Sequence, residues 1–361
     1  MFKRRRTRVV KLGEVAIGGD NPVSLQSMTT THTAEVAETV RQIEELTELG
    51  CDIVRVAVPT IREAEAIAEI HRSIRIPLVA DIHFDLNLAI ESLRSGADGV
   101  RINPGNIRDL SRLDEFVDLA RHYGAVVRIG VNSGSIRPRD GLSVSAPADR
   151  ELRREELANL MLERALEYVK LFEDRDFHEL KLSLKASDVP TTMEAYRRVA
   201  ERTDYPLHLG VTAAGPSAES VVKSAIGIGG LLAEGIGDTI RVSMTGPPAE
   251  EVRTGEAILR ALGLRGRRGP EILSCPTCGR CEIDLAAIVE EVRRRLPPGA
   301  PPVQIAVMGC VVNGPGEAAE ADLGIAGGKG FGYIFSHGRK LRKVPAERLV
   351  DELIEEITNY K

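Results

Sequence analysis

The chain has 361 residues, more than one ordinary hydrophobic core holds, so two domains are expected. Hydrophobic residues at 43% and charged residues at 28% are ordinary for a soluble globular protein, and a formal net charge of -5 argues against a bulk nucleic-acid binder. No apolar run approaches the length of a membrane span, and no apolar segment follows the basic start (Lys3, Arg4, Arg5, Arg6, Arg8), so neither a secretory signal nor a membrane anchor is visible and a solvated tail in the cytoplasm is the expectation.

From about residue 23 the apolar pattern alternates between period two and helical period. It predicts strands over 23–28, 52–58, 78–84, 99–103, 125–132, 179–186, 207–213 and 239–245. Helices are predicted over 34–49, 61–73, 86–95, 109–123, 150–172, 192–203, 217–234 and 249–262. Eight strands alternating with eight helices in a segment of barrel size predict an α/β fold of the (β/α)8 TIM-barrel class over residues 1–264, with a doubly wound sheet as the runner-up. A Gly/Arg/Pro stretch over 263–270 reads as the linker. Residues 271–361 then read as a small α/β domain: a helix over 285–296, a strand over 303–307 leading into Cys310, a Gly-rich segment over 324–332, a strand over 332–336 and a last helix over 345–360.

In such a barrel the active site lies at the C-terminal strand ends, and side chains two apart share a face. Asp81 and His83 share one face, as do Arg101 and Asn103, Arg128 and Asn132, Lys181, Ser183 and Lys185, and Arg241 and Ser243. Inward positions normally want branched apolar residues, and a buried unpaired charge costs several kcal/mol. One cation, Arg55 for instance, reads equally well as a salt-bridged structural charge. Five of them, Arg55, Arg101, Arg128, Lys185 and Arg241, with few acidic partners among the strand ends, predict one cationic mouth. Guanidinium forks match phosphate oxygens, so the expected ligand is a phosphate or diphosphate, with Asn132, Ser243 and His83 as neutral donors.

Four of the five cysteines fall in one C-terminal stretch: Cys275-Pro-Thr-Cys278-Gly-Arg-Cys281, and Cys310 within Gly309-Cys310-Val-Val-Asn-Gly-Pro-Gly-Glu317. Thiols gathered this way without a secretory segment read as metal ligands rather than disulfide partners. Zinc in a closed four-sulfur site and an iron–sulfur cluster both fit. The Cys278–Cys281 spacing is similar to that of ferredoxins, and the turn after Cys310 presents the Glu317 carboxylate, which spacing alone reads either as a labile oxygen ligand or as a helix-start acid. Cys51 sits alone in an apolar strand pattern and reads as a small packed residue.

Taken together, these motifs resemble the bacterial 4-hydroxy-3-methylbut-2-enyl diphosphate synthase family of the non-mevalonate isoprenoid pathway. The resemblance runs through Val23-Ser-Leu-Gln-Ser-Met28, Ala80-Asp-Ile-His83, Arg101-Ile-Asn-Pro-Gly105, Arg128-Ile-Gly-Val-Asn132, Leu207-His-Leu-Gly-Val-Thr212, Ser274-Cys-Pro-Thr-Cys-Gly-Arg280 and the Met308 to Glu317 segment. It implies a barrel followed by a cluster domain, working as a homodimer in which the cluster domain of one subunit closes over the partner's barrel. It also implies a 4Fe-4S cluster on Cys275, Cys278, Cys310 and Glu317. The implied substrate is 2-C-methyl-D-erythritol 2,4-cyclodiphosphate, opened and reductively dehydrated with electrons from ferredoxin or flavodoxin. The implied substrate-binding positions are Arg55, His83, Arg128, Asn132, Lys185, Arg241, Ser243 and Asn313, to which strand phase adds Arg101.

Two departures matter. The family has Thr-Glu-Ala-Gly where this chain has Thr212-Ala213-Ala214-Gly215, so the proton donor that the resemblance implies at position 213 is a methyl group. Either the chain is an alanine variant that binds without turning over, which is the expectation, or another acid substitutes. The second is Cys281, where the family often has Thr; it reads as a bystander thiol or as a ligand in place of Glu317.

Overall fold

A short antiparallel hairpin, β1 (Val10–Leu12) and β2 (Val15–Ile17), precedes eight parallel strands in the structure, a computed structural model that describes residues 3–107, 109–136, 150–212, 215–297, 299–312, 316 and 318–360. The strands are β3 (Ser24–Met28), β4 (Ile53–Ala57), β5 (Leu78–Asp81), β6 (Gly99–Ile102), β7 (Val126–Asn132), β8 (Leu180–Lys185), β9 (His208–Leu209) and β10 (Thr239–Ile240). Their order is β8-β7-β6-β5-β4-β3-β10-β9, and a parallel bridge between Leu182 and Leu207 joins the two ends into a ring. One helix or helical run follows each strand: α1 (Val36–Glu48), α2 (Ile61–Ser73), α3 (Leu86–Arg94), α4 (Leu113–Tyr123), α5 (Arg150–Glu173), α6 (Val189–Arg202), then α7 (Ser217–Ser224) continuing through a π-turn over Ala225–Gly229 into α8 (Gly230–Ala233), and α9 (Pro248–Ala261). This is the (β/α)8 barrel that the alternation predicts. The last two strands are shorter than expected, and the ladder beyond them continues through single bonds, such as Arg241 N–H to Leu209 O at 3.0 Å.

Strict alternation explains both faces of the ring. Val54, Val56, Leu78, Ala80, Val100, Ile102, Val127, Ile129, Leu182 and Leu184 point outward into the layer shared with the helices, all fully buried. The inward positions carry charge at the C-terminal end of the barrel and apolar residues at the other. There Ile53, Val79 and Val126 meet Val10, Leu12 and Ile17 of the hairpin, which plugs the base. The predicted solvated tail is corrected: the basic start is docked. Arg4 pairs with Asp238 at 3.0 Å, Arg8 with Asp204 at 2.6 Å, and Arg5 donates to the Tyr205 carbonyl at 2.6 Å. Guanidinium groups there satisfy carbonyls and carboxylates at the base of the barrel, a use of charge that a short basic run does not announce. Cys51 is packed in the core as expected, and burial pushes its thiol up to about 12.

The chain divides into two units, Met1–Arg265 and Gly266–Lys361. Arg265 belongs to the barrel, where it pairs with Asp52 and Glu256 and donates to the Gly50 carbonyl. The second unit is a five-stranded mixed sheet in the order β11 (Glu271–Ser274), β12 (Gln304–Met308), β13 (Leu323–Gly328), β14 (Phe331–Ser336) and β15 (Arg339–Pro345). The first three strands are parallel and the last two antiparallel. Helices α10 (Leu285–Arg295) and α11 (Leu349–Asn359) pack on it through Leu285, Val292, Ile325, Leu349, Leu353 and Ile357. The Gly-rich segment is mostly the buried strand β13: a Cβ on Gly324 would stand 2.4 Å from the Phe335 ring, and one on Gly327 2.4 Å from Ile283, so glycine there is a packing requirement rather than a loop signal. No described helix is long and apolar enough to cross a membrane.

Candidate functional site: a cationic barrel mouth and a thiol turn

Parallel pairing fixes the register of the inward side chains. Met28 stands opposite Arg55, Asp81 opposite Arg101, Arg101 opposite Arg128, Arg128 opposite Lys181, and Asn132 opposite Lys185. The result is a cavity of about 190 Å³ lined by Arg55, Asp81, His83, Arg101, Arg128, Asn132, Ser183, Lys185, Thr212, Arg241 and Ser243. Every substrate-binding position expected in the barrel therefore faces one space. Asn313 and Glu317 lie outside the described residues, as does Ala213.

The cations are held deep. Arg55, Arg101, Arg128 and Lys185 are each less than a tenth exposed. Two carboxylates answer them, one from a strand end, as the expectation of few acidic partners there has it, and one from a helix. Asp81 lies 3.3 Å from Arg101 and 3.8 Å from Arg55, and Glu251, from α9, grips Arg241 at 3.1 Å. Glu251 comes from a helix and carries no strand-phase signal. Arg128 donates to the Gln26 side-chain oxygen at 3.0 Å, while its Nε finds no partner. Lys181, one layer below, is buried with its Nζ unpartnered.

Electrostatics follow from this geometry. Burial alone would raise the Asp81 carboxyl, but Arg55, Arg101 and Arg128 hold it at about 2. Burial, then neighbouring cations, pushes Arg128 and Lys185 well below their ordinary ranges and Lys181 to about 7. A guanidinium keeps its proton regardless, so the strain of the four arginines Arg55, Arg101, Arg128 and Arg241 beside two carboxylates is relieved by an anion. Glycine makes the crowding possible. A Cβ on Gly130 would lie 2.8 Å from Arg101 Nε, and one on Gly210 would lie 2.6 Å from Lys185 Nζ. Strand phase could have found Gly130, which lies between Arg128 and Asn132 in an inward row already named, whereas Gln26, His208 and Gly210 lie in predicted strands for which no inward row was named.

In the second unit, adjacent parallel strands bring two cysteines to one edge: Cys275 follows β11 and Cys310 follows β12 by two residues. The Gly309 N–H points at Cys275 Sγ at 3.3 Å, a donor that suits a thiolate sulfur. Cys278 is exposed in the connecting turn. Cys281 differs: its thiol donates to the Ile283 carbonyl at 3.2 Å, and Gly309 has no room for a Cβ because that sulfur would be 2.5 Å away. Among the described residues no three Cys, His, Asp or Glu side chains are already gathered around a single metal position. The donor set nevertheless suits an iron–sulfur group: thiols at strand ends, one in an open turn, and a backbone amide on a sulfur.

The chain is 50% identical over 357 residues to the Thermodesulfovibrio yellowstonii protein named 4-hydroxy-3-methylbut-2-en-1-yl diphosphate synthase (flavodoxin), covering 99% of each. It is 51% identical to the Clostridium perfringens protein of that name, covering 98% of each. Among solved structures, a Yersinia pestis dihydropteroate synthase overlays 71% of this chain and 98% of its own with a TM-score of 0.48 at 10% identity. Residues 7–256 match the GcpE TIM-barrel domain and residues 271–359 the GcpE protein C-terminal domain, so the chain belongs to the GcpE family.

Proposed function

We propose that the barrel mouth binds 2-C-methyl-D-erythritol 2,4-cyclodiphosphate and that the protein opens and reductively dehydrates it to 4-hydroxy-3-methylbut-2-enyl diphosphate. The observation that carries this reading is the convergence of Arg55, Arg101, Arg128, Lys185 and Arg241 on one cavity in a chain that is half identical, end to end, to proteins of that name. In the reaction a C–O bond to the diphosphate breaks and a hydroxyl leaves as water, while an electron pair enters to form the alkene. The residues of this chain supply positioning and charge. Arg128 is the most buried, Lys185 stands level with Asn132, Arg241 is aimed by Glu251, and Arg55 and Arg101 are aimed by Asp81; together they neutralise the charge that develops on the diphosphate as it leaves. His83, Asn132 and Ser243 complete the rim as neutral donors.

Cys275, Cys278, Cys310 and Glu317 would hold a 4Fe-4S cluster, with Cys281 left to the core by its bond to Ile283. When bound, such a cluster passes electrons one at a time. Flavodoxin or ferredoxin fits as the donor, since the relatives' names carry flavodoxin. The working form is a homodimer in the cytoplasm, the cluster-bearing unit of one protomer serving its partner's barrel.

Position 213 sets the turnover. With Ala213 the proton donor is missing, and Ala213→Glu raises turnover roughly a hundredfold or more. The test is anaerobic purification with iron and sulfide analysis, followed by turnover assays of both forms with reduced flavodoxin. Matched iron and sulfide with activity restored by the glutamate supports the reading. Colourless protein with stoichiometric zinc overturns it in favour of a zinc-stapled barrel lyase or transferase, and unchanged activity overturns the role of position 213.

A further inference from the structure

The five cations of the mouth are anchored unequally. Arg55 and Arg101 share Asp81, Arg241 has Glu251, and Arg128 has Gln26. Lys185 has no carboxylate partner among the described residues. Its Nζ lies 3.5 Å from His208 Nε2 and is pressed into the space that Gly210 leaves open. His208 is fully buried, and its Nδ1 lies 2.8 Å from the Thr239 hydroxyl. An imidazole nitrogen accepts from an amine only when it carries no hydrogen, so the tautomer that can receive a Lys185 hydrogen holds its own on Nδ1 and donates it to Thr239. Burial, then Arg128 and Lys185, pushes this imidazole well below its ordinary range, which keeps it an acceptor.

The surroundings of Lys185 favour the uncharged amine. Arg128 faces it from β7, Arg241 from the end of β10, Arg55 from β4 and Arg101 from β6, while Asp81 on β5 is occupied by two guanidiniums. Burial adds to their repulsion. A diphosphate reverses the sign of that field. We propose that Lys185 waits in the empty mouth as a neutral amine, held by the Lys185–His208–Thr239 row, and takes up one proton from solvent when a diphosphate binds. The resulting ammonium has three hydrogens: one for His208 Nε2 and two for phosphate oxygens. His208 is a positioning residue in this scheme. The inference rests on the site reading above.

The bound molecule cannot be the source of the titration. A cyclic diphosphate carries one strongly acidic oxygen per phosphorus and nothing that titrates near neutrality, so a proton gained on binding is gained by the protein. The sign follows from linkage: affinity is flat below the pKa of Lys185 in the empty site and falls about tenfold per pH unit above it. Lys181 is the competing acceptor, since it is buried and unpartnered on the same strand.

The experiment is calorimetric titration of the oxygen-protected holo-protein with the cyclic diphosphate, in buffers of contrasting ionisation enthalpy. Uptake of about one proton, with affinity falling about tenfold per pH unit above the pKa of the empty-site amine, is expected. Lys185→Met loses the uptake and Lys181→Met keeps it. His208→Leu weakens binding about tenfold or more, and His208→Gln, whose side-chain oxygen replaces Nε2, recovers most of it. Tight binding without proton uptake overturns the inference and leaves the site reading standing. Uptake that survives Lys185→Met, or vanishes in Lys181→Met, overturns the assignment to Lys185, and a His208→Leu protein with native affinity and pH profile overturns the role of the row. Failure of the cyclic diphosphate to bind at all overturns the site reading and this inference with it.

Discussion

In the barrel, the reactive side chains sit on the inward faces of strands whose outward faces are fully buried against helices; in the C-terminal unit, the thiols hang from strand ends and a turn, with Cys278 exposed. The cations of the mouth have no freedom to relax away from one another, because the register that places Arg101 beside Arg128 is the register that buries Val100, Val127 and Ile129. Their mutual repulsion is borne by the fold and released by an anion. The thiols carry no comparable strain. The first site is organised by the fold before any ligand arrives, whereas the second draws its organisation from what its thiols bind.

The largest expected effect tests the prepaid character of the barrel. Asp81→Asn keeps the shape and removes the carboxylate shared by Arg55 and Arg101. It lowers barrel stability by about 3–5 kcal/mol in denaturant unfolding, and inorganic pyrophosphate restores part of the loss. The pH dependence has the same origin. The folded Asp81 carboxyl is depressed from 3.8 to about 2, so its contribution is complete above the ordinary carboxylate value and is lost as pH falls through that window. A variant as stable as the native protein breaks the comparison on the barrel side.

A smaller effect is expected at Gly210. Gly210→Ala sets a methyl group 2.6 Å from Lys185 Nζ and 2.9 Å from the Arg241 carbonyl, and costs about 1–3 kcal/mol with a matching loss of diphosphate affinity. The smallest sharpens the thiol side. Cys281→Ser retains full iron and changes stability by less than about 1 kcal/mol, whereas Cys275→Ser or Cys310→Ser loses the iron and leaves the barrel's unfolding transition where it was. Iron lost on Cys281→Ser contradicts the assignment of that thiol to the core.

The legibility of the two units in the sequence differs for a physical reason. A period-two strand in a ring has one inward row, so Arg128, Asn132, Lys181, Ser183 and Lys185 could be placed on one face before any coordinates, and the cavity lining contains four of these five. Glu251 could not be placed, because a helix reaches the mouth by tertiary packing that strand phase does not encode. The basic start was illegible for a similar reason: its partners Asp204 and Asp238 are distant in sequence. In the second unit, close packing against Phe335, Ile283 and Leu349 selects glycine along β13 and β14, and glycine in sequence imitates a loop. The strand β15 escaped notice because its residues are mostly exposed and basic.

The claim on which the rest depends is that the barrel's buried cations exist to hold a diphosphate, and the dissociation constant of the cyclic diphosphate for native and Arg128→Met protein, measured without oxygen, tests it most directly. The account predicts affinity weakened about tenfold to a hundredfold or more with folding stability preserved or raised, since removing one cation relieves repulsion while deleting a charge-assisted contact. Equal affinity in the two proteins would contradict it.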